Sequence, residues 1–103
     1  MKYKEWRNIV SKYVIISNLT DEGARTLKKN AGRIKEVNKE LKDMGVNVTD
    51  QYAVLGNFDF ISIVEAENDD SVMKAVIEIA SRGSIKTATY KVVPIDEFIE
   101  SFK

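Results

Sequence analysis

Cysteine and histidine are both absent from the 103 residues, and proline occurs once. Without cysteine there are no disulfides, no thiol nucleophile, and no zinc or iron–sulfur cluster of the usual kind. Without histidine, Ser-His catalysis, the common haem ligand and most transition-metal sites are excluded as well. An excess of charge of one sign is also missing: sixteen Lys and Arg balance sixteen Asp and Glu. That balance gives no global pull toward phosphate backbones or anionic lipid, so neither nucleic acid nor membrane is an expected partner. No apolar run approaches the ~20 residues of a membrane helix. The opening stretch MKYKEWRNIV lacks the apolar segment and cleavage site of a signal peptide, so the expected location is the cytoplasm. The Asn-x-Thr triplets at Asn18 and Asn47 are therefore read as chance matches. Gly23 stands alone in its neighbourhood, so no glycine-rich phosphate loop is present and no cofactor is expected. The chemistry left is that of carboxylates, hydroxyls, lysine, arginine and tyrosine.

What is present suits one domain, since hydrophobic residues make up 44% of the chain. Residues 1–11 place Tyr3, Trp6, Ile9 and Val10 at helical spacing and read as an N-terminal extension. Residues 12–19, KYVIISNL, are rich in β-branched side chains and predict a strand. Thr20 is placed to cap a helix whose first turn holds Asp21 and Glu22. Ala24, Leu27, Ala31, Ile34, Val37, Leu41 and Met44 follow in steps of three and four, one apolar stripe. Asn30 and Gly32 predict a break in its middle, and Gly45 a left-handed C-cap. A second strand is expected over 46–55, a turn at Gly56-Asn57, and a third strand over 58–66. Asn68-Asp69-Asp70 opens a second helix with apolar positions Val72, Met73, Val76, Ile77, Ile79 and Ala80, closed by Gly83. A fourth strand over 84–93 and a tail over 95–103 complete the chain. The order β-α-β-β-α-β predicts an α+β, ferredoxin-like sandwich, a four-stranded antiparallel sheet with both helices on one face.

The strands are apolar on both sides. With the turn at Gly56-Asn57, Leu55 opposes Phe58 and Val54 opposes Asp59, so Ala53, Leu55, Phe58, Phe60 and Val64 share one face. Tyr52, Val54, Ile61 and Ile63 share the other with Asp59. Tyr13 and Ile15 divide from Val14 and Ile16 in the same way. Two helices roof one face and leave roughly 400 Å² of the other uncovered, which is large for a monomer's surface. The expected answer is a homodimer closed through the open faces. The alternative is that the N-terminal arm and the tail, with Trp6, Phe98 and Phe102, fold across that face.

These residues carry a family resemblance. Gly56-Asn57-Phe58-Asp59 resembles the Gly-x-Tyr-Asp turn for which the GYD domain family is named, with Phe58 in place of Tyr. SNLTDEG (17–23), IVEAENDD (63–70) and IKTATYKVV (85–93) are similar to the family's strand-to-helix junction, second-helix start and last strand. The resemblance covers roughly residues 12–94. It implies a ferredoxin-like domain that assembles as a dimeric α/β barrel. The turn is also similar to that of leucine-responsive transcription regulators, whose effector domains share the fold and bind amino acids between protomers. The missing hydroxyl at Phe58 counts against any role that requires it.

Asp59 has two readings. It fixes the turn by accepting backbone N–H groups, with Tyr52 and Thr87 donating to it if the second, third and fourth strands lie side by side. Or it stands at the mouth of a cavity and binds an amine or acts as a base. Asn18, Tyr52, Asn57, Asp59 and Thr87 are the candidate ligand-binding residues, polar groups at the ends of apolar strands. No catalytic residue is assigned. Asp50, Asp59 and Glu65 share a hairpin face, but Asp50 and Asp59 lie three or more residue pairs apart along it, so no metal site is assigned. The functional expectation is a small-molecule-binding or regulatory module acting as a homo-oligomer, its partners a second copy and a small metabolite. The alternatives are a cofactor-independent oxygenase or isomerase and a purely structural interaction protein.

Overall fold

The computed structural model describes residues 10–103, so the reading of residues 1–9 as an amphipathic arm lies outside the described residues. Strand β1 (Ser11–Leu19) leads into helix α1 (Asp21–Lys29) through Thr20, whose side chain accepts a hydrogen bond from the Gly23 amide. Asn30 ends that helix, and α2 (Arg33–Asp43) starts again on the same apolar stripe. The break falls where Asn and Gly weaken helical propensity. Gly45 closes α2 at φ +87°, in the left-handed region that costs other residues energy. Strands β2 (Asn47–Ala53) and β3 (Phe60–Ala66) follow, then α3 (Asp69–Ala80), capped by Asn68 on the Ser71 amide. Strand β4 (Ile85–Val92) and helix α4 (Ile95–Glu100) end the chain.

The sheet order is β2-β3-β1-β4 and every neighbouring pair is antiparallel. This is the ferredoxin-like arrangement. β1 and β3 occupy the centre, and their inward residues Tyr13, Ile15, Val64 and Ala66 meet Leu41, Val72, Ala75 and Ile79 from the helices. Ala53 opposes Phe60 and Tyr52 opposes Ile61, which continues to the expected pairing of Val54 with Asp59. The Val54 amide donates to the Asp59 carbonyl at 2.8 Å. The regular strands stop at Ala53 and resume at Phe60, shorter than the expected 46–55 and 58–66.

A β-bulge lies between Val48 and Asp50. Strict alternation would put Val48 and Gln51 on opposite faces, being three residues apart. The extra residue Thr49 lets Val48 pack on the core while Gln51 also points to the helices. The helix stripes are narrower than their spacing predicts, since Ala24, Ala31, Met73, Ile77 and Ala80 are exposed. On α3, Val72, Ala75 and Ile79 define the buried line, and Met73 and Ile77 fall on the solvent side of it. In the tail, Phe98 and Phe102 are 50% and 77% exposed and meet edge-to-face at 5.1 Å. The tail helix therefore does not bury its own aromatics.

Candidate functional site

The Gly56–Asp59 turn is tied down by its last residue. The Asp59 amide donates to the Ser17 carbonyl at 2.9 Å, and its Oδ2 accepts from the Leu19 amide at 2.8 Å. The β1–β3 ladder ends at Ser17 and Phe60, so the carboxylate extends it by one bond where side chain replaces backbone. Asp59→Ala is expected to lower stability by about 2 kcal/mol, the scale of a hydrogen bond to a charged group. Asp59→Asn, which keeps an acceptor oxygen, should recover much of that; urea unfolding of both variants checks it.

The candidate residues are not gathered in one place. Strand β1 lies between β3 and β4, so the condition under which Thr87 would donate to Asp59 is not met. Thr87 pairs with Ser17 across β1 and β4 and faces the helices, remote from Asp59's carboxylate. Tyr52 and Asn18 are exposed on the opposite face, and Asn57 is exposed in the turn. That open face also carries Val14, Ile16, Ile61 and Ile63, half-buried, with Tyr90 54% and Tyr52 59% exposed.

On the helix side there is a cavity of about 170 Å³. Sequence reasoning missed its polar floor. Ser17 and Ser62 are buried at inward positions of the two central strands. Gln51 Nε2 donates to Ser62 Oγ at 3.1 Å and exchanges bonds with Asn38 at 2.8 and 3.3 Å. The available signal was two serines at core positions of otherwise apolar strands. Arg33 and Arg82 also line the cavity. Arg33 contacts Glu36 at 3.0 Å and Glu40 at 3.8 Å, while Arg82 pairs with Glu40 and, at 3.3 Å, with Glu78. The hydrogen bond from Arg82 holds the Glu40 carboxyl below its usual range.

At the far end of the sheet, Tyr13 donates to Asp69 Oδ1 at 2.5 Å, and Lys91 Nζ lies 3.1 Å from the same oxygen. Burial, and then the bond to Asp69, push the Tyr13 phenol up to about 12. The Tyr13 bond and then Lys91 hold Asp69 below the ordinary carboxylate range. The phenol's folded value exceeds its unfolded value near 10. The folded state therefore binds the extra proton between those values, and this stabilisation is complete below pH 10 and lost toward pH 12. Asp69 has the opposite sense: its contribution is present above its unfolded value of 3.8 and disappears as pH falls through the lower folded value. Ultraviolet titration should show a last tyrosine ionising near 12, and Tyr13→Phe should remove that step.

No helix among the described residues is long and apolar enough to cross a membrane. A curated relative from Thermus thermophilus is named glutamine synthetase and cystathionine beta-lyase binding protein. It is 51% identical over 92 residues, spanning 88% of this chain and 97% of the relative. Among solved structures, MtbAldR superposes with a TM-score of 0.59 at 19% identity, covering 82% of this chain and 52% of that one. FFRP-DM1 superposes with a TM-score of 0.54 at 24% identity, covering 81% and 99%. The Mycobacterium tuberculosis leucine response regulatory protein gives 0.52 at 9% identity, covering 88% and 55%. These likenesses establish the fold, and the chain spans about half the length of two of the three solved proteins. The family match runs over residues 13–101, from the first strand into the tail helix, and on that extent the chain belongs to the GYD domain family.

Proposed function

We propose that this chain is a cytoplasmic regulatory binding module that docks on glutamine synthetase and cystathionine β-lyase of its own cell, and that it does so as a homodimer. The observation that carries the partner assignment is the identity to the Thermus protein, which extends across nearly all of both chains. Support for the dimer is the sheet face that no described helix covers, where Val14, Ile16, Ile61 and Ile63 form an apolar centre flanked by Tyr52 and Tyr90. A second copy of the same sheet offers a twofold, self-complementary cover. In that assembly Asn18, Tyr52 and Asn57 serve as contacts between protomers rather than as ligand hooks.

The test is surface plasmon resonance of the purified chain over each enzyme from the same organism. At least one complex should form with a Kd tighter than ~10 μM, a binding free energy of about 7 kcal/mol. If neither enzyme retains the chain at that concentration, the docking assignment is wrong.

A further inference from the structure

Two hydroxyl side chains of the helix–sheet layer line the cavity side by side. Ser17 is 5% exposed, and its register partner Thr87 is half-buried. Neither side chain bonds any described residue, although the neighbouring Ser62, Gln51 and Asn38 satisfy one another. Both hydroxyls line the 170 Å³ cavity, where water or a ligand can reach them as a hydrogen-bond partner. The rest of its wall is mainly apolar, with Ile15, Ile34, Val37, Leu41 and Phe60. An apolar cavity of about 150 Å³ accepts benzene, so the space suits a ring of that size.

Charge narrows the ligand further. The two guanidiniums on the wall are already bound by Glu36, Glu40 and Glu78. A carboxylate ligand would compete with those glutamates for the guanidiniums, and an ammonium seated against the apolar wall would lack a partner. Thr26 and Leu27 line the cavity from α1, and Arg33 and Ile34 line it from α2.

We propose that this cavity binds a small uncharged molecule, an apolar body about the size of a benzene ring carrying a hydroxyl or amide that bonds Ser17 and Thr87. The proposal is independent of the enzyme-docking reading, because its test involves no protein partner. The experiment is a ¹H–¹⁵N correlation titration of the full chain with phenol, and separately with benzoate and L-phenylalanine. Phenol should shift the amides of Ser17, Leu41, Ser62 and Thr87 and saturate, while the two charged probes leave them in place. Thr87→Val, which keeps the shape and removes the hydroxyl, should weaken phenol binding roughly 5–10-fold, the effect of one hydrogen bond. Val37→Phe, which fills the space, should abolish it, with thermal melting showing that each variant is folded; if Val37→Phe does not fold, Thr87→Val decides alone. The proposal is overturned if phenol moves none of these amides, if either charged probe binds as tightly, or if Thr87→Val leaves the affinity unchanged.

Discussion

If the chain assembles as the homodimer proposed above, Ile16→Asp is expected to convert it into folded monomers. Ile16 sits at the centre of the face that no described helix covers, paired laterally with Ile61 on β3 and Ala88 on β4. In the monomer its side chain is only half-buried, so the carboxylate can stay in water and the fold survives. In a twofold dimer the same carboxylate is buried without a cation, and it appears twice. Each buried unpaired charge costs several kcal/mol, so the dimer constant should weaken by more than ~10³-fold. Sedimentation equilibrium at micromolar concentration should give twice the protomer mass for the wild type and one protomer mass for the variant. Circular dichroism should be unchanged. A wild-type protein that sediments as a monomer would overturn the assembly itself, and a variant that stays dimeric would place the contact elsewhere.

The second large effect is on folding. Gly23 is buried in the first turn of α1, and a Cβ built there would lie 1.9 Å from the Ser84 carbonyl oxygen and 2.9 Å from its carbon. The obstacle is backbone, which cannot rotate aside as a side chain can. Nor can Ser84 retreat cheaply, because its carbonyl accepts the Thr20 amide at 3.0 Å while Thr20 Oγ1 donates to the Gly83 carbonyl at 2.7 Å. One methyl group therefore pries the β1–α1 junction from the α3–β4 loop. Gly23→Ala should cost about 3 kcal/mol, the upper end of overpacking penalties, and lower Tm by on the order of 15 °C for a domain of this size. Gly32→Ala is the control. Its nearest neighbour is the Asn30 side-chain oxygen at 3.4 Å, and it is not in the left-handed region. That change should fall within about 1 kcal/mol of wild type. Equal melting temperatures for the two variants would contradict the packing described for Gly23.

These two sites differ in how far the sequence announces them. The open face is written into β1 and β3, because residues of both parities are apolar and alternation assigns them to faces without any knowledge of the partner strands. Gly23 looks like any solitary glycine until Ser84, sixty-one positions later, is brought against it. The same division holds at the candidate residues. The turn register of Val54 with Asp59 follows from two loop residues and local geometry. The separation of Thr87 from Asp59 follows from strand order, which depends on which long-range pairings bury the most surface together.

The sequence by itself determined the element order, both side-chain N-caps, the helix break at Asn30–Gly32 and the two-sided strands, all of which rest on neighbours within a few residues. Only the tertiary structure decided that Thr49 bulges to turn Val48 inward, and that Ser17 and Thr87 come together under a cavity. Local backbone preferences act over one or two turns of chain, whereas a cavity is whatever volume remote side chains leave unfilled once the helices have settled on the sheet.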